Sequence, residues 1–209
     1  MAAEEPAQVS RIGVMGGTFD PIHLGHLIAA ESVRDGFHLH RVLFVPAGTP
    51  PHKTERRVAP AEHRLAMVRL AVAGNPGFEV STIETDRPGA SYTVDTVRSL
   101  RREMPPQTKL YFITGADAVL EILTWKDPFE IFRHCDLVAV TRPGYDAAAL
   151  DRMVGTLAGS GGAVHRLVIP EVSISSSEVR ERVREGRSIR YLVPDAVGEY
   201  IWRTGLYQD

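Results

Sequence analysis

From Arg11 to His26 the chain reads Arg-Ile-Gly-Val-Met-Gly-Gly-Thr-Phe-Asp-Pro-Ile-His-Leu-Gly-His, and this stretch restricts the fold more than any other. Ile12 to Met15 is a short apolar run of the kind that forms a buried strand. Gly16 and Gly17 then permit a tight turn and close approach of a ligand to the backbone. Asp20-Pro21 continues the turn chemistry. From Gly25 onward Leu27, Ala30 and Val33 recur at helical spacing, so His23 and His26 lie between a strand end and a helix start. The first turn of such a helix offers backbone N–H groups and the positive end of the helix dipole, which together favour a bound anion. The two histidines add donors whose charge changes near neutral pH. A Gly-Gly turn or one histidine alone carries little weight, but two histidines flanking a glycine directly after the turn point to phosphate handling. A metal site is disfavoured because no Cys or carboxylate is spaced beside them as a third ligand.

The same strand-then-helix pattern repeats along the chain. Apolar runs at Ile12–Met15, Arg41–Pro46, Phe78–Ile83, Lys109–Thr114 and Asp136–Thr141, with a sixth at Arg166–Ile169, read as strands. Leu65, Val68 and Val72 within Pro60–Ala73, and Val94, Val97 and Leu100 within Thr93–Met104, recur with helical periodicity. This alternation predicts an α/β fold, a doubly wound parallel sheet with helices on both faces. Ligands in such sheets bind beyond the carboxyl ends of the strands, near the point where strand order reverses. The residues after each strand therefore matter most. After the second strand, Pro46 to Arg57 holds a glycine, three prolines, Lys53, Arg56 and Arg57, which predicts a long charged loop on the ligand side of the sheet. Ser91-Tyr92-Thr93 provides hydroxyls to start the next helix. Gly115-Ala116-Asp117 follows the fourth strand, with Trp125 shortly after, and Thr141-Arg142-Pro143-Gly144 follows the fifth.

A second dense motif lies at Ile174-Ser-Ser-Ser-Glu-Val-Arg180. Ser175 with Glu178 matches a capping box, and Val179, Val183 and Gly186 mark a short helix with a stop. Capping explains the serines but not Arg180, whereas a helix start with hydroxyls and an arginine one turn in is also a phosphate cradle. Another helix begins at Pro194-Asp195.

Size and charge narrow the function. A chain of 209 residues with 44% hydrophobic content can bury one full core. Its net charge of -2 argues against non-specific binding to nucleic acid or anionic membranes. Cys135 is the one cysteine, so there is no intrachain disulfide, and its apolar setting predicts a packed thiol. Residues 1–9 read as a flexible N-terminus with no apolar signal segment, and no run approaches a membrane span. The expected location is the cytoplasm.

The run from Gly16 to His26 resembles the signature of the nucleotidyltransferase superfamily with the His-x-Gly-His motif, and the run from Ile174 to Arg180 resembles that superfamily's second signature. The chain looks most like the bacterial nicotinate-nucleotide adenylyltransferases of NAD biosynthesis, and the likeness extends over nearly its whole length. The resemblance implies a Rossmann-like sheet with a small helical C-terminal part at about 173–209, within a single nucleotidyltransferase domain spanning 10–209. It implies transfer of the adenylyl group of ATP to nicotinate mononucleotide, giving nicotinate adenine dinucleotide and pyrophosphate. His23, His26 and Arg180 would then act on the phosphates. Gly16, Thr18, Phe19, Ser175, Ser176 and Arg142 would contact ATP. Lys53, Tyr92, Thr93, Asp117 and Trp125 would hold the mononucleotide, with Trp125 stacked on the pyridine ring. Mg²⁺ would arrive with ATP and need no dedicated protein ligands. A homo-oligomer is compatible with the sequence. Three alternatives stand beside this: pantetheine-phosphate adenylyltransferase, which shares both phosphate motifs; a nucleotide sensor without turnover; and a class I tRNA synthetase fragment, which the charge and length disfavour.

Overall fold

The computed structural model describes residues 9–50, 58–141, 147–157, 159, 161–170 and 172–209. Six strands follow the apolar runs: β1 (Arg11–Gly17), β2 (Arg41–Pro46), β3 (Phe78–Val80), β4 (Lys109–Gly115), β5 (Asp136–Thr141) and β6 (Val164–Val168). They form one parallel sheet in the order β3-β2-β1-β4-β5-β6. Strand order reverses between β1 and β4, the expected place for a ligand. The register there is decisive. β1 and β4 pair only from Arg11↔Lys109 to Val14↔Phe112, although the strands continue to Gly17 and Gly115. Their last three residues diverge and open a crevice at the carboxyl edge.

The strands are buried on both faces, as parallel strands between helical layers must be. Met15, Phe44 and Ile113 pack on one face with α1 (Leu24–Gly36), α2 (Ala61–Val72), α7 (Ser176–Arg184) and α8 (Asp195–Thr204). Val14, Val45 and Phe112 pack on the other with α3 (Thr93–Glu103) and the short α5 (Pro128–Ile131). On that side α4 (Ala116–Leu120) also meets α6 (Ala147–Leu157) through Val119, Ala139 and Leu150. The C-terminal helices α7 and α8 share the core of the α1–α2 face through Val179, Val183, Val197 and Ile201.

Several boundaries differ from the sequence expectation. Gly16 and Gly17 are the last residues of β1, paired with Val45 and Pro46, and neither has positive φ. They are small because rings lie over them: an added Cβ would sit 3.2 Å from Phe112 at Gly16 and 3.2 Å from Phe19 at Gly17. The turn itself comes later, with Phe19 at φ 50 in the left-handed region. β3 stops at Val80, not Ile83, because it pairs with β2 at three positions and the chain then turns. In α2 Val68 and Val72 are buried as expected, whereas Leu65 is half-buried and Arg64 and Met67 complete the inward stripe.

Candidate active site

His23 is the N-cap of α1 and 7% exposed. Its ring stacks on that of His26 with centroids 3.7 Å apart, and the Phe19 ring meets His26 edge-on at 5.1 Å. The His23 backbone N–H donates to His26 Nδ1 at 3.2 Å, which makes Nδ1 an acceptor and leaves Nε2 as the protonated nitrogen of neutral His26. The glycine between them has a specific purpose. A Cβ at Gly25 would stand 3.0 Å from His23 Nδ1, so only hydrogen leaves the ring its place.

The helix start is less bare than expected, because the Leu24 N–H donates to the Leu192 carbonyl at 2.9 Å and that of His26 to His23 at 3.0 Å. What remains is shaped by imidazole and hydroxyl groups. A cavity of about 380 Å³ is lined by Gly16, His23, Gly25, His26, Thr114, Ser175 and Ser176, among others.

The second motif supports this turn from below. Ser175 caps α7 by accepting from the Glu178 N–H at 3.1 Å. Glu178 does not complete the predicted box toward the cap, since its carboxylate pairs with Arg182 at 2.9 Å. Ser176 Oγ donates to the Pro21 carbonyl at 2.9 Å. Arg180, buried, donates to the Asp20 carbonyl through Nη1 and to Ser177 Oγ through Nη2 at 2.8 Å. Asp20 Oδ1 in turn accepts from Tyr207 at 2.8 Å and from the Ala59 N–H at 3.2 Å.

On the opposite side of the crevice lies a cavity of about 400 Å³, lined by Gly16, Thr18, Glu84, Tyr92, Thr114 and Trp125, among others. Trp125 is half-buried and meets Phe112 edge-on at 6.1 Å. Tyr92 caps α3, and Lys126 lies 4.6 Å above its ring while bonding Asp95 at 3.0 Å. Glu84 is buried and accepts from Thr96 Oγ1 at 2.5 Å. Its burial pushes the carboxyl above the ordinary carboxylate range, against the opposing bonds from Thr96 and Ser91. Both cavities share Gly16 and Thr114, the residues at the point where β1 and β4 part.

Residues 14–182 match the Cytidylyltransferase-like family. The chain is 53% identical over 198 residues to a probable nicotinate-nucleotide adenylyltransferase of Thermus thermophilus, covering 95% of this chain and all of the relative. The chain belongs to the nicotinate-nucleotide adenylyltransferase family. A second family member, from Moorella thermoacetica, is 52% identical over 199 residues, 95% of this chain and 92% of its own. Among solved structures, the nicotinic acid mononucleotide adenylyltransferase of Plasmodium falciparum complexed with NaAD superposes with TM-score 0.77. It is 19% identical and covers 95% of this chain and 97% of that one, a likeness of fold.

Against that family frame, the structure brings His23, His26, Gly16, Ser175 and Ser176 to one cavity and Tyr92, Thr93 and Trp125 to the other. It moves several residues from their expected places. Thr18 lines the Trp125 cavity and not the histidine cavity. Phe19 is 2% exposed and serves the core behind His26. Asp117 is exposed in the first turn of α4, where its neighbour Ala118 reaches the cavity wall and it does not. Arg180 does not line the histidine cavity. It borders a separate cleft of about 590 Å³ with Ser177, Arg184 and Tyr207. Lys53, Arg56, Arg57 and Arg142 lie outside the described residues. Sequence reasoning passed over Glu84, Gly48 and Arg64. For Arg64 a signal existed: a charge on the inward stripe of α2.

Proposed function

We propose that the chain joins ATP to nicotinate mononucleotide, with the triphosphate in the histidine cavity and the mononucleotide in the Trp125 cavity. One observation carries this reading: two cavities of different chemistry meet at Gly16 and Thr114. One offers imidazole and hydroxyl donors beside a helix N-terminus, the other an indole and the start of α3.

An oxygen of the mononucleotide phosphate attacks the α-phosphorus of ATP, the bond from that phosphorus to the bridging β-oxygen breaks, and pyrophosphate leaves. The nucleophile arrives ionised, so no side chain need accept its proton. The protein positions two polyanions across the crevice and stabilises charge on the oxygens of the reacting phosphorus. His26 supplies its Nε2–H, and His23, stacked behind it, fixes the ring. Arg180, Ser176 and Asp20 hold the turn that carries both. On the acceptor side Trp125 stacks on the pyridine ring, and the backbone at Tyr92–Thr93 meets the carboxylate.

A divalent cation enters this reading with ATP. Among the described residues that line the histidine cavity the polar side chains are imidazoles and hydroxyls, and Mg²⁺ commonly binds through substrate phosphates while keeping waters. When bound, it neutralises charge on the triphosphate. The location we assign is the cytoplasm, where both nucleotides are found, and residues 10–209 are taken as one catalytic unit. No helix among the described residues is long and apolar enough to cross a membrane.

The test is pyrophosphate release from Mg-ATP with nicotinate mononucleotide, nicotinamide mononucleotide and pantetheine phosphate as acceptors. The acid is expected to have the highest kcat/KM, since an amide would face the α3 N–H groups with a donor of its own and leave them poorly paired. A preference for the amide or for pantetheine phosphate would overturn the assignment.

A further inference from the structure

Arg64 is 1% exposed, among the largest fully buried side chains of the described residues. It lies on the inward face of α2, where Met67, Val68 and Val72 are apolar. Its guanidinium donates three hydrogen bonds, all to backbone carbonyls: Nε to Ala59 at 2.8 Å, Nη1 to Thr18 at 2.9 Å and Nη2 to Gly48 at 2.8 Å. Three separate stretches of chain meet there. Thr18 belongs to the turn after β1, Gly48 follows β2, and Ala59 precedes α2.

Burying a cation is costly, and packing alone would be better served by an aliphatic side chain. Burial pushes Arg64 below the ordinary arginine range, with Asp20, Tyr207 and Glu84 pulling the other way. What a guanidinium provides and an aliphatic chain cannot is a rigid planar fork that fixes acceptors in set directions. The acceptors are the supports of one wall of the Trp125 cavity, because Gly17, Thr18, Ala47 and Pro50 all line it. The bracing reaches further. The Gly48 N–H donates to Ser91 Oγ at 2.9 Å, and a Cβ on Gly48 would stand 2.3 Å from the Glu84 carbonyl oxygen, so this segment lies hard against the approach to α3. The Ser91 N–H also donates to the Thr49 carbonyl at 2.9 Å.

We propose that Arg64 is a positioning residue for the acceptor: its guanidinium spaces the Thr18 turn, Gly48 and Ala59 so that the acceptor-cavity wall and the start of α3 hold a fixed separation. This rests on the reading of the Trp125 cavity as the mononucleotide site. None of the three carbonyls that Arg64 holds belongs to a residue lining the histidine cavity. Ala59 also donates its N–H to Asp20 at the turn before α1, so a change at Arg64 is expected to act more strongly on the acceptor than on ATP. Lysine keeps the charge but has one donor nitrogen and no fork, so it cannot hold three carbonyls in place.

The experiment compares wild type, Arg64→Lys, Arg64→Met and Trp125→Ala by titration calorimetry. Nicotinate mononucleotide and Mg-ATP are titrated separately, and melting curves and steady-state rates are recorded. Arg64→Lys is expected to stay folded, weaken mononucleotide binding about tenfold and raise its KM in parallel, as displaced contacts do. Its ATP affinity should stay within about twofold, the difference expected when the ATP contacts are untouched. Arg64→Met should show a larger effect of the same selectivity. Equal weakening of both ligands, unchanged mononucleotide binding in folded Arg64→Lys, or failure of Arg64→Lys to fold would each overturn the proposal. Trp125→Ala separates the two levels: if it leaves mononucleotide binding unchanged, the site reading is wrong. If it weakens binding and Arg64→Lys does not, only the role of Arg64 falls.

Discussion

Replacing Gly25 with alanine should slow turnover while leaving the fold nearly intact. Gly25 lies inside α1 without positive φ, so the backbone itself accepts alanine. Helix propensity alone would stabilise the variant by up to about 1 kcal/mol. Against that, the new Cβ would meet His23 Nδ1 at 3.0 Å and Cε1 at 3.1 Å, with the Ile174 carbonyl at 3.8 Å behind it. Ordinary contact requires the imidazole to retreat by a few tenths of an ångström. It has little room, because it is 7% exposed and stacked 3.7 Å from the His26 ring. Overpacking of this kind costs about 1–3 kcal/mol. The net loss should be about 0–3 kcal/mol, with Tm falling at about 2–4 °C per kcal/mol for a chain of this size. Under the proposed placement of the triphosphate, chemistry is less forgiving, since both histidine rings would shift relative to the reacting phosphorus. We expect kcat to fall about 10–100-fold, given that displacement of about 1 Å can cost a hundredfold. Pyrophosphate release at saturating Mg-ATP and mononucleotide, beside a thermal melt, measures both. A Gly25→Ala enzyme with unchanged kcat and Tm would refute the idea that the His23 position limits turnover.

Other substitutions probe the surroundings. Burial raises the Glu84 carboxyl above its ordinary value of 4.5, so the folded state holds that proton more tightly than the unfolded chain and stability falls as pH rises from there through the raised value. The Tm advantage of Glu84→Gln over wild type should therefore grow above pH 4.5 and then level off; an advantage that shrinks with rising pH would contradict this. Burial, aided by Asp136, pushes the Cys135 thiol up to about 12, so iodoacetamide at neutral pH should label it only after denaturation. Rapid stoichiometric labelling of the native protein, seen by mass spectrometry, would disprove that. Tyr207→Phe removes the 2.8 Å bond to Asp20 and should cost about 1–2 kcal/mol in chemical denaturation, with kcat reduced as the turn loosens. No change in either would leave that bond without consequence.

The central strands were readable because parallel strands buried on both faces are continuous apolar runs, as at Arg41–Pro46 and Asp136–Thr141. Periodicity fails for elements shorter than its period can register. The five residues of α4 and four of α5 carry no pattern that separates them from loop. The α6 helix carries one, since Leu150, Val154 and Leu157 recur at helical spacing, but the glycines in and after it give the stretch the composition of a loop. In the site, motif residues could be named but their division of labour could not. Nothing local in Ile-Ser-Ser-Ser-Glu-Val-Arg says that Arg180 is directed at the Asp20 carbonyl. Asp20 read only as turn chemistry because its acceptor role depends on Tyr207, Arg180 and Ala59, all distant in sequence.

That distance matters while the protein is being made. The turn before α1 emerges from the ribosome early, yet its shape depends on Ser176, Arg180, Leu192 and Tyr207. Three of the partners of Pro21 and Asp20 are 155, 160 and 187 positions downstream. A growing chain therefore carries the motif long before it has the formed turn in which we place the triphosphate. Grafting Gly16–His26 onto another strand–helix unit would meet the same obstacle: the recipient would inherit the letters without the distant residues that give them their shape.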